Sequence, residues 1–236
     1  MRMLVSLTVV VAMGCSSSAP PPAPSSKGAG YLDPEAGPGV AQSPINIVTS
    51  QATEKNEQVL LHYGRAQEKV VNLGHTIEVD LSPGSWVMDE DKRFVLRQFH
   101  FHTPSEHLID GITFPMEMHM VHTLEGEPHE YLVIAVLFRQ GSPSPFIDAF
   151  ADQIPQMAGE ESPAGVIDLS AICDPEEGFF KYRGSLTTPP YTETVRWLIS
   201  KKVHEASPEQ VDTIHRLEGD NARHIQIFGE RRIEDI

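Results

Sequence analysis

The sequence predicts a mostly β domain with short helices, an α+β class in which strands dominate. Two observations carry this. Apolar and polar residues alternate at period 2 over 59–62, 70–81, 94–102, 114–121, 131–138 and 194–199, the pattern of strands with one buried face. Turn residues punctuate these runs, as at Ser82-Pro83-Gly84 and Gly141-Ser142-Pro143. Helical spacing is confined to two segments.

From its start, the chain opens on a targeting segment over 1–15. Arg2 supplies a positive beginning, and the apolar run over 4–13 is too short to span a bilayer. Ala12-Met13-Gly14-Cys15 resembles a bacterial lipobox, whose Cys is lipidated and becomes the mature N-terminus, with Ala12 where Leu is usual. A plain secretory signal and an uncleaved anchor are the other readings. Each predicts an exported protein, periplasmic or on the cell surface, touching a membrane only through a lipid on Cys15. Residues 16–30 are Ser, Ala, Pro and Gly with one Lys, which cannot bury apolar surface and predict a flexible tether. Residues 31–236 then have the size of one folded domain.

The first helix is expected over 145–157, where Phe146, Ile147, Phe150 and Ile154 fall near helical spacing and Pro155 should end or kink it. Ser207-Pro208-Glu209-Gln210 is a capping box with Pro at the first helical position, and it starts a helix through Leu217. The formal net charge is −15 and no basic cluster is evident, which excludes nucleic acid as an expected partner. Of the two Cys, lipidation of Cys15 would leave Cys173 without a partner, so it is read as a small buried apolar residue outside any disulfide.

Two of the strands carry chemistry. A strand sends residues i and i+2 to one face, so Gln98, His100 and His102 share a face, as do Glu117, His119 and Val121. Paired antiparallel, the two segments set His100 opposite His119 and His102 near Glu117, and three imidazoles converge. A single half-buried His is ordinary packing; three on converging faces point to a metal. A catalytic zinc takes three protein ligands and leaves a fourth position open. All-nitrogen ligation also suits Cu, Fe or Ni. Gln98 and Glu117 are the residue types that fix imidazole tautomers from behind.

Several short motifs then occur in one order: Gln42-Ser43-Pro44-Ile45-Asn46-Ile47, Asn72-Leu73-Gly74-His75, Gln98-Phe99-His100-Phe101-His102, Ser105-Glu106-His107, Glu117-Met118-His119-Met120-Val121-His122, and Gly184-Ser185-Leu186-Thr187-Thr188-Pro189-Pro190. The ordered set resembles the α-class carbonic anhydrases from about Ala41 to the C-terminus. The resemblance implies a central twisted, largely antiparallel sheet of about ten strands, with zinc at the base of a conical cleft. It implies reversible hydration of carbon dioxide, a small-molecule substrate, by attack of zinc-bound hydroxide. His100, His102 and His119 would bind Zn²⁺. Thr187 would accept a hydrogen bond from the hydroxide and donate its own to Glu106. Val121, Val133, Leu186, Val195 and Trp197 would line an apolar CO₂ pocket, Thr188 would contact bicarbonate, and His75 would carry the released proton to buffer. Cis bonds are implied at Ser43-Pro44 and Pro189-Pro190. Read without the resemblance, His75 could be a turn residue, Glu106 a loop cap, Thr187 turn chemistry and Trp197 plain core. His107 and His122 belong to the motifs, but their faces make them structural.

The chain departs from the family pattern at three places. The aromatic N-terminal segment is largely missing, so the family's water-ordering tyrosine has no secure counterpart, and Tyr31 is a poor candidate. The disulfide of secreted bacterial members is absent. Asn221-Ala222-Arg223-His224-Ile225-Gln226 keeps an Asn-x-Arg-x-x-Gln pattern, but His224 replaces a usual Pro. Two other readings compete. One is a cupin-type metalloprotein, in which Glu106 would join His100 and His102 as a ligand. The other is a carbonic-anhydrase-like surface domain that binds without catalysing.

Overall fold

A computed structural model describes residues 39–236 of the chain. The leader, Cys15, the tether and Tyr31 lie outside the described residues. Short strands β1 (Asn46–Ile47), β2 (Thr53–Glu54) and β3 (Leu60–His62) precede the longer β4 (Arg65–Asn72) and β5 (Ile77–Leu81). Then come β6 (Trp86–Asp89), β7 (Lys92–His102), the short β8 (Leu108–Ile109) and β9 (Ile112–Thr113), β10 (Met116–Leu124) and β11 (Glu127–Gln140). Helix α1 (Pro145–Ala151), strands β12 (Glu161–Asp168), β13 (Phe179–Gly184) and β14 (Val195–Ala206), helix α2 (Pro208–Glu218) and β15 (Glu234–Asp235) complete the order.

Among the described residues, one sheet of 12 strands runs β12-β4-β5-β7-β10-β11-β14-β13-β15-β2, with β6 also pairing with β7 and β3 with β6. It is mixed rather than simply antiparallel. β11 pairs with β14 in parallel, as does β15 with β2. A parallel pair needs a long crossover, and the chain from β11 to β14 supplies one through α1, β12 and β13.

The centre of the sheet is buried on both faces. On one face, Phe99, Met118, Met120, Ile134 and Val136 join Phe146, Ile147, Phe150 and Ile214 of the two helices in one apolar cluster. On the other, Val133, Ala135, Val195, Trp197 and Ile199 pack with Ile45, Ile47 and Ile233. The odd-numbered residues of β10 therefore look toward this second face, and the Met side chains look toward the helices.

Several expectations are corrected. The run 70–81 is two strands. Asn72 Oδ1 accepts the Gly74 N–H at 2.8 Å, Gly74 takes φ +81°, and Leu73 N–H reaches Thr76 O at 3.0 Å, closing a turn that a continuous apolar pattern hides. Helix α1 stops at Ala151 rather than 157. Gln153 and Ile154 bond back to Phe150 and Ala151 in tight turns, because Pro155 has no N–H to continue an α-helix. Helix α2 begins as expected: Ser207 Oγ accepts from Gln210 N, and Gln210 Oε1 accepts from Ser207 N. Both implied cis bonds are present, together with a third at Thr103-Pro104. Cys173 is buried, which pushes its thiol up to about 12, so it behaves as the inert apolar residue expected.

One strand residue breaks the pattern. Glu68 of β4 takes a core-facing position between Ala66 and Val70, and neither carboxylate oxygen has a hydrogen-bond partner. Burial pushes its pKa up from 4.5 to about 7. A folded pKa above the unfolded one means that folding favours the protonated acid. Stability is greatest below the unfolded value and is lost as pH rises through about 7. Glu68→Met should therefore raise the thermal midpoint at pH 8, by a few °C, and by less at pH 5. Equal midpoints for wild type and variant at pH 8 in calorimetry would contradict this account.

Candidate metal centre

β7 and β10 pair antiparallel with His119 opposite His100 and Glu117 opposite His102, as the two-residue strand period requires. The ligand nitrogens of His100, His102 and His119 lie within 4.8 Å of one another. His102 and His119 are buried and His100 is half-buried, so the cluster opens outward on the His100 side.

The chain sets the tautomers. Gln98 Oε1 accepts the Nδ1–H of His100 at 2.9 Å, which leaves Nε2 free to ligate. Glu117 Oε1 accepts the Nε2–H of His119 at 2.7 Å, which leaves Nδ1. His102 is buried with neither ring nitrogen hydrogen-bonded. A buried orphan imidazole costs free energy unless something accepts its lone pair. A cation held by three neutral nitrogens meets that need, so the residues fit a metal. Burial, and then the neighbouring imidazoles, hold His100 and His102 well below 6.5, in the neutral form that a metal requires.

Glu117 is the anchor behind the ligands. Burial pushes its carboxyl up, but His107 and His119 outweigh burial and hold it well below the usual carboxylate range. It accepts the His107 N–H at 2.7 Å, the His107 ring Nδ1–H at 2.6 Å and the His119 ring N–H. The other ring nitrogen of His107 lies 2.6 Å from the Tyr182 hydroxyl, which in turn meets Ser43 Oγ at 2.9 Å. The structural role read for His107 is thus specific: it holds Glu117. His122 faces the other side, between Leu132 O and the Tyr63 hydroxyl.

Glu106 sits 1 % exposed on the loop after β7, with Oε1 accepting Arg223 N–H at 2.9 Å and lying 3.6 Å from His102 Nδ1. Burial pushes it up to about 7, while His119, the Arg223 amide and the Thr187 hydroxyl pull it down. Glu106 is not one of the converging ligand atoms, which removes the basis of the cupin reading. Thr187 is half-buried and Thr188 exposed on the segment after β13. Val121, Val133 and Trp197 are consecutive neighbours across β10, β11 and β14. Val121 and Leu186 are half-buried against the apolar cluster, and Val133, Val195 and Trp197 lie behind them at 1–2 % exposure. The Trp197 ring stands 4.9 Å from the His119 ring, and its indole N–H donates to Ser185 O. His75 is exposed in the turn after Asn72. Its ring Nδ1 lies 3.1 Å from Leu73 O, and the residue is close enough for its charge to act on His100.

The sequence offers Asn221 and Arg223 only as members of an Asn-x-Arg-x-x-Gln pattern. Here the Arg223 amide holds Glu106, and the Asn221 backbone faces His102. The Asn-x-Arg spacing was the available signal, but no strand or helix period links it to the histidines.

Residues 31–235 match the profile of the eukaryotic-type carbonic anhydrase family. The carbonic anhydrase of Pectobacterium carotovorum is 35 % identical over 174 residues, 73 % of this chain and 70 % of that protein. The carbonic anhydrase of Neisseria gonorrhoeae is 35 % identical over 195 residues, covering 82 % and 76 %. The solved α-carbonic anhydrase of Thermovibrio ammonificans, in complex with the inhibitor sulfanilamide, superposes with a TM-score of 0.79 at 35 % identity, over 83 % of this chain and 87 % of that one.

The anchor makes a prediction about metal retention. Glu117→Ala keeps all three imidazoles but removes the acceptor that orients His119, so metal affinity should fall about 10- to 100-fold. Competition with a chelator measures it, and unchanged affinity would contradict the role assigned to Glu117.

Proposed function

The chain belongs to the eukaryotic-type carbonic anhydrase family and hydrates carbon dioxide reversibly; from that premise we propose that His100, His102 and His119 hold zinc, with Glu106, Thr187 and His75 serving the reaction around it. The observation that carries the metal assignment is the convergence of three ring nitrogens within 4.8 Å of one another, on a buried His102 and two imidazoles whose tautomers are already set. Bound zinc supplies hydroxide at neutral pH by lowering the pKa of water to about 7, a figure known from carbonic anhydrases themselves.

The residues of the chain do the rest. Thr187 would orient the nucleophile: its hydroxyl donates to Glu106, which leaves its own lone pair to accept a hydrogen bond from an oxygen held at the histidine cluster. Glu106 must be ionised for the relay to run in this direction. Burial raises its pKa, and a cation held by the three imidazoles would oppose that and favour the ionised form. Val121 and Leu186, backed by Val133, Val195 and Trp197, offer CO₂ an apolar surface that does not compete for it with hydrogen bonds. Thr188, exposed next to Thr187 in the chain, would meet bicarbonate as it leaves. His75 donates Nδ1–H to Leu73 O, which leaves Nε2 to take the released proton and pass it to buffer. The leader over 1–15 and Cys15 support an exported, lipid-anchored protein with this domain outside the cytoplasm.

A CO₂ hydration assay with and without a chelator tests the metal reading. Activity should vanish with the metal and return with zinc, and His119→Ala should lose nearly all of it. A zinc-loaded protein without turnover would return the reading of a surface domain that binds without catalysing. His75→Ala should lower kcat in dilute buffer while changing kcat/KM little, because the CO₂ step is untouched. Small imidazole buffers should restore much of the loss. Equal losses in kcat and kcat/KM would make His75 structural.

A further inference from the structure

Within the turn that carries His75, Thr76 is buried and donates its hydroxyl to Phe101 O of β7 at 2.9 Å, but His75 itself is weakly tied to the sheet. β5 begins only at Ile77, so His75 lies outside the strand ladder, and Leu73, Gly74 and His75 are all exposed. The ring of His75 bonds within its own turn, to Leu73 O. Among the described residues, a single hydrogen bond ties His75 to a residue beyond that turn: Asn221 Nδ2 donates to the His75 carbonyl at 2.9 Å. The same amide makes two further bonds. Nδ2 donates to Phe101 O at 3.1 Å, and Oδ1 accepts Thr103 N–H at 3.0 Å. Phe101 and Thr103 flank His102. One half-buried side chain thus grips the backbone on both sides of a metal ligand and, with its remaining N–H, the backbone of the proton acceptor.

We infer that Asn221 is a positioning residue for proton transfer, fastening the His75 turn to the strand end that carries His102. The inference rests on the assignment of His75 and His102 made above. Its chemistry is directional. Both bonds to carbonyls need N–H donors, and the bond from Thr103 needs an acceptor, so among side chains of this length only a carboxamide supplies both. The end of α2 gives Asn221 a firm base. Glu218 accepts Thr103 Oγ–H at 3.1 Å and Ile77 N–H at 3.3 Å, which holds the two strand ends together just behind the amide. Glu218 does not reach His75. Without the Asn221 donor, the turn keeps its internal bonds and the bond from Thr76 Oγ to Phe101 O at 2.9 Å, but the His75 backbone itself loses its tie to the His102 strand, and the imidazole can swing away from the centre.

The test uses the zinc-loaded full chain. In Asn221→Ala, the His75 ring resonance in histidine NMR spectra, assigned with His75→Ala, should shift or broaden, while those of His62 and His129 stay in place. In dilute buffer kcat should fall about tenfold, within the range that misplacing a reacting group costs, with a smaller change in kcat/KM and recovery in imidazole. In a His75→Ala background, Asn221→Ala should lower kcat no further. An unmoved His75 resonance would overturn the inference, as would equal losses of kcat and kcat/KM in both backgrounds, which would mean that the amide merely supports His102. If Asn221→Ala does not fold, Asn221→Asp keeps the acceptor for Thr103 and removes both donors, and the same readouts apply. Should His75→Ala by itself leave kcat unchanged, the proton-acceptor reading fails separately, and the resonance alone decides whether Asn221 positions the turn.

Discussion

The hydrogen bonds that converge on Glu117 are the constraint on which the site depends. A carboxylate with no exposed surface must be neutralised or fully hydrogen-bonded, because an unpaired buried charge costs several kcal/mol. Glu117 meets that requirement through His107 and His119. Each bond fixes something different. The bond from His119 sets a tautomer, the ring of His107 locks a second imidazole, and the main-chain N–H of His107 pins the loop that also carries Glu106. His119, a proposed metal ligand, and the loop of Glu106, the proposed partner of Thr187, are therefore held by the same carboxylate.

That arrangement needs a strand buried on both faces. β10 sends Met116, Met118 and Met120 into the cluster under α1 and α2, and Glu117, His119 and Val121 to the site. The Met side chains adapt to the aromatic rings around them, so the helix face tolerates small displacements. The site face does not, since a slip of one residue would exchange the two sets and turn three Met toward the histidine cluster. Register is consequently enforced from both sides, by apolar packing on one and by Glu117 on the other.

The same logic explains what could be read in advance. The convergence of His100, His102 and His119 follows from a period of two and one antiparallel pairing, both local properties of short segments. The motif order then supplied Glu106 and Thr187, which no periodicity connects to the histidines. β13 escaped notice because it is buried on both faces and includes Lys181 in mid-strand, so it shows no alternation. The split of 70–81 was hidden because Asn72 closes its turn with a side chain while apolar residues continue on either side. The role of Asn221 could not be read at all: its partners are main-chain groups, which carry no sequence identity.

Lys181 also shows how the far side of the sheet reaches the site. Its ammonium bonds Asp89 at 2.9 Å, Glu57 at 3.0 Å and Glu90 at 3.1 Å, and Arg196 of the adjacent β14 bonds Asp89 and Glu90 as well. Burial would lower the Lys181 pKa, but these carboxylates raise it, so the charge persists inside the fold. Such a network contributes little net stability against an apolar replacement, yet losing one partner costs about 3–5 kcal/mol because it strands the others. Its effect is therefore geometric. It ties the β6–β7 turn to β13 and β14, and β13 leads directly into Ser185, Leu186 and Thr187. β7 carries the proposed ligands His100 and His102 away from that turn, and β13 leads to Thr187, the proposed partner of Glu106. A charge cluster at the far end of β7 thereby joins the strand of His100 and His102 to the strand that leads into Thr187.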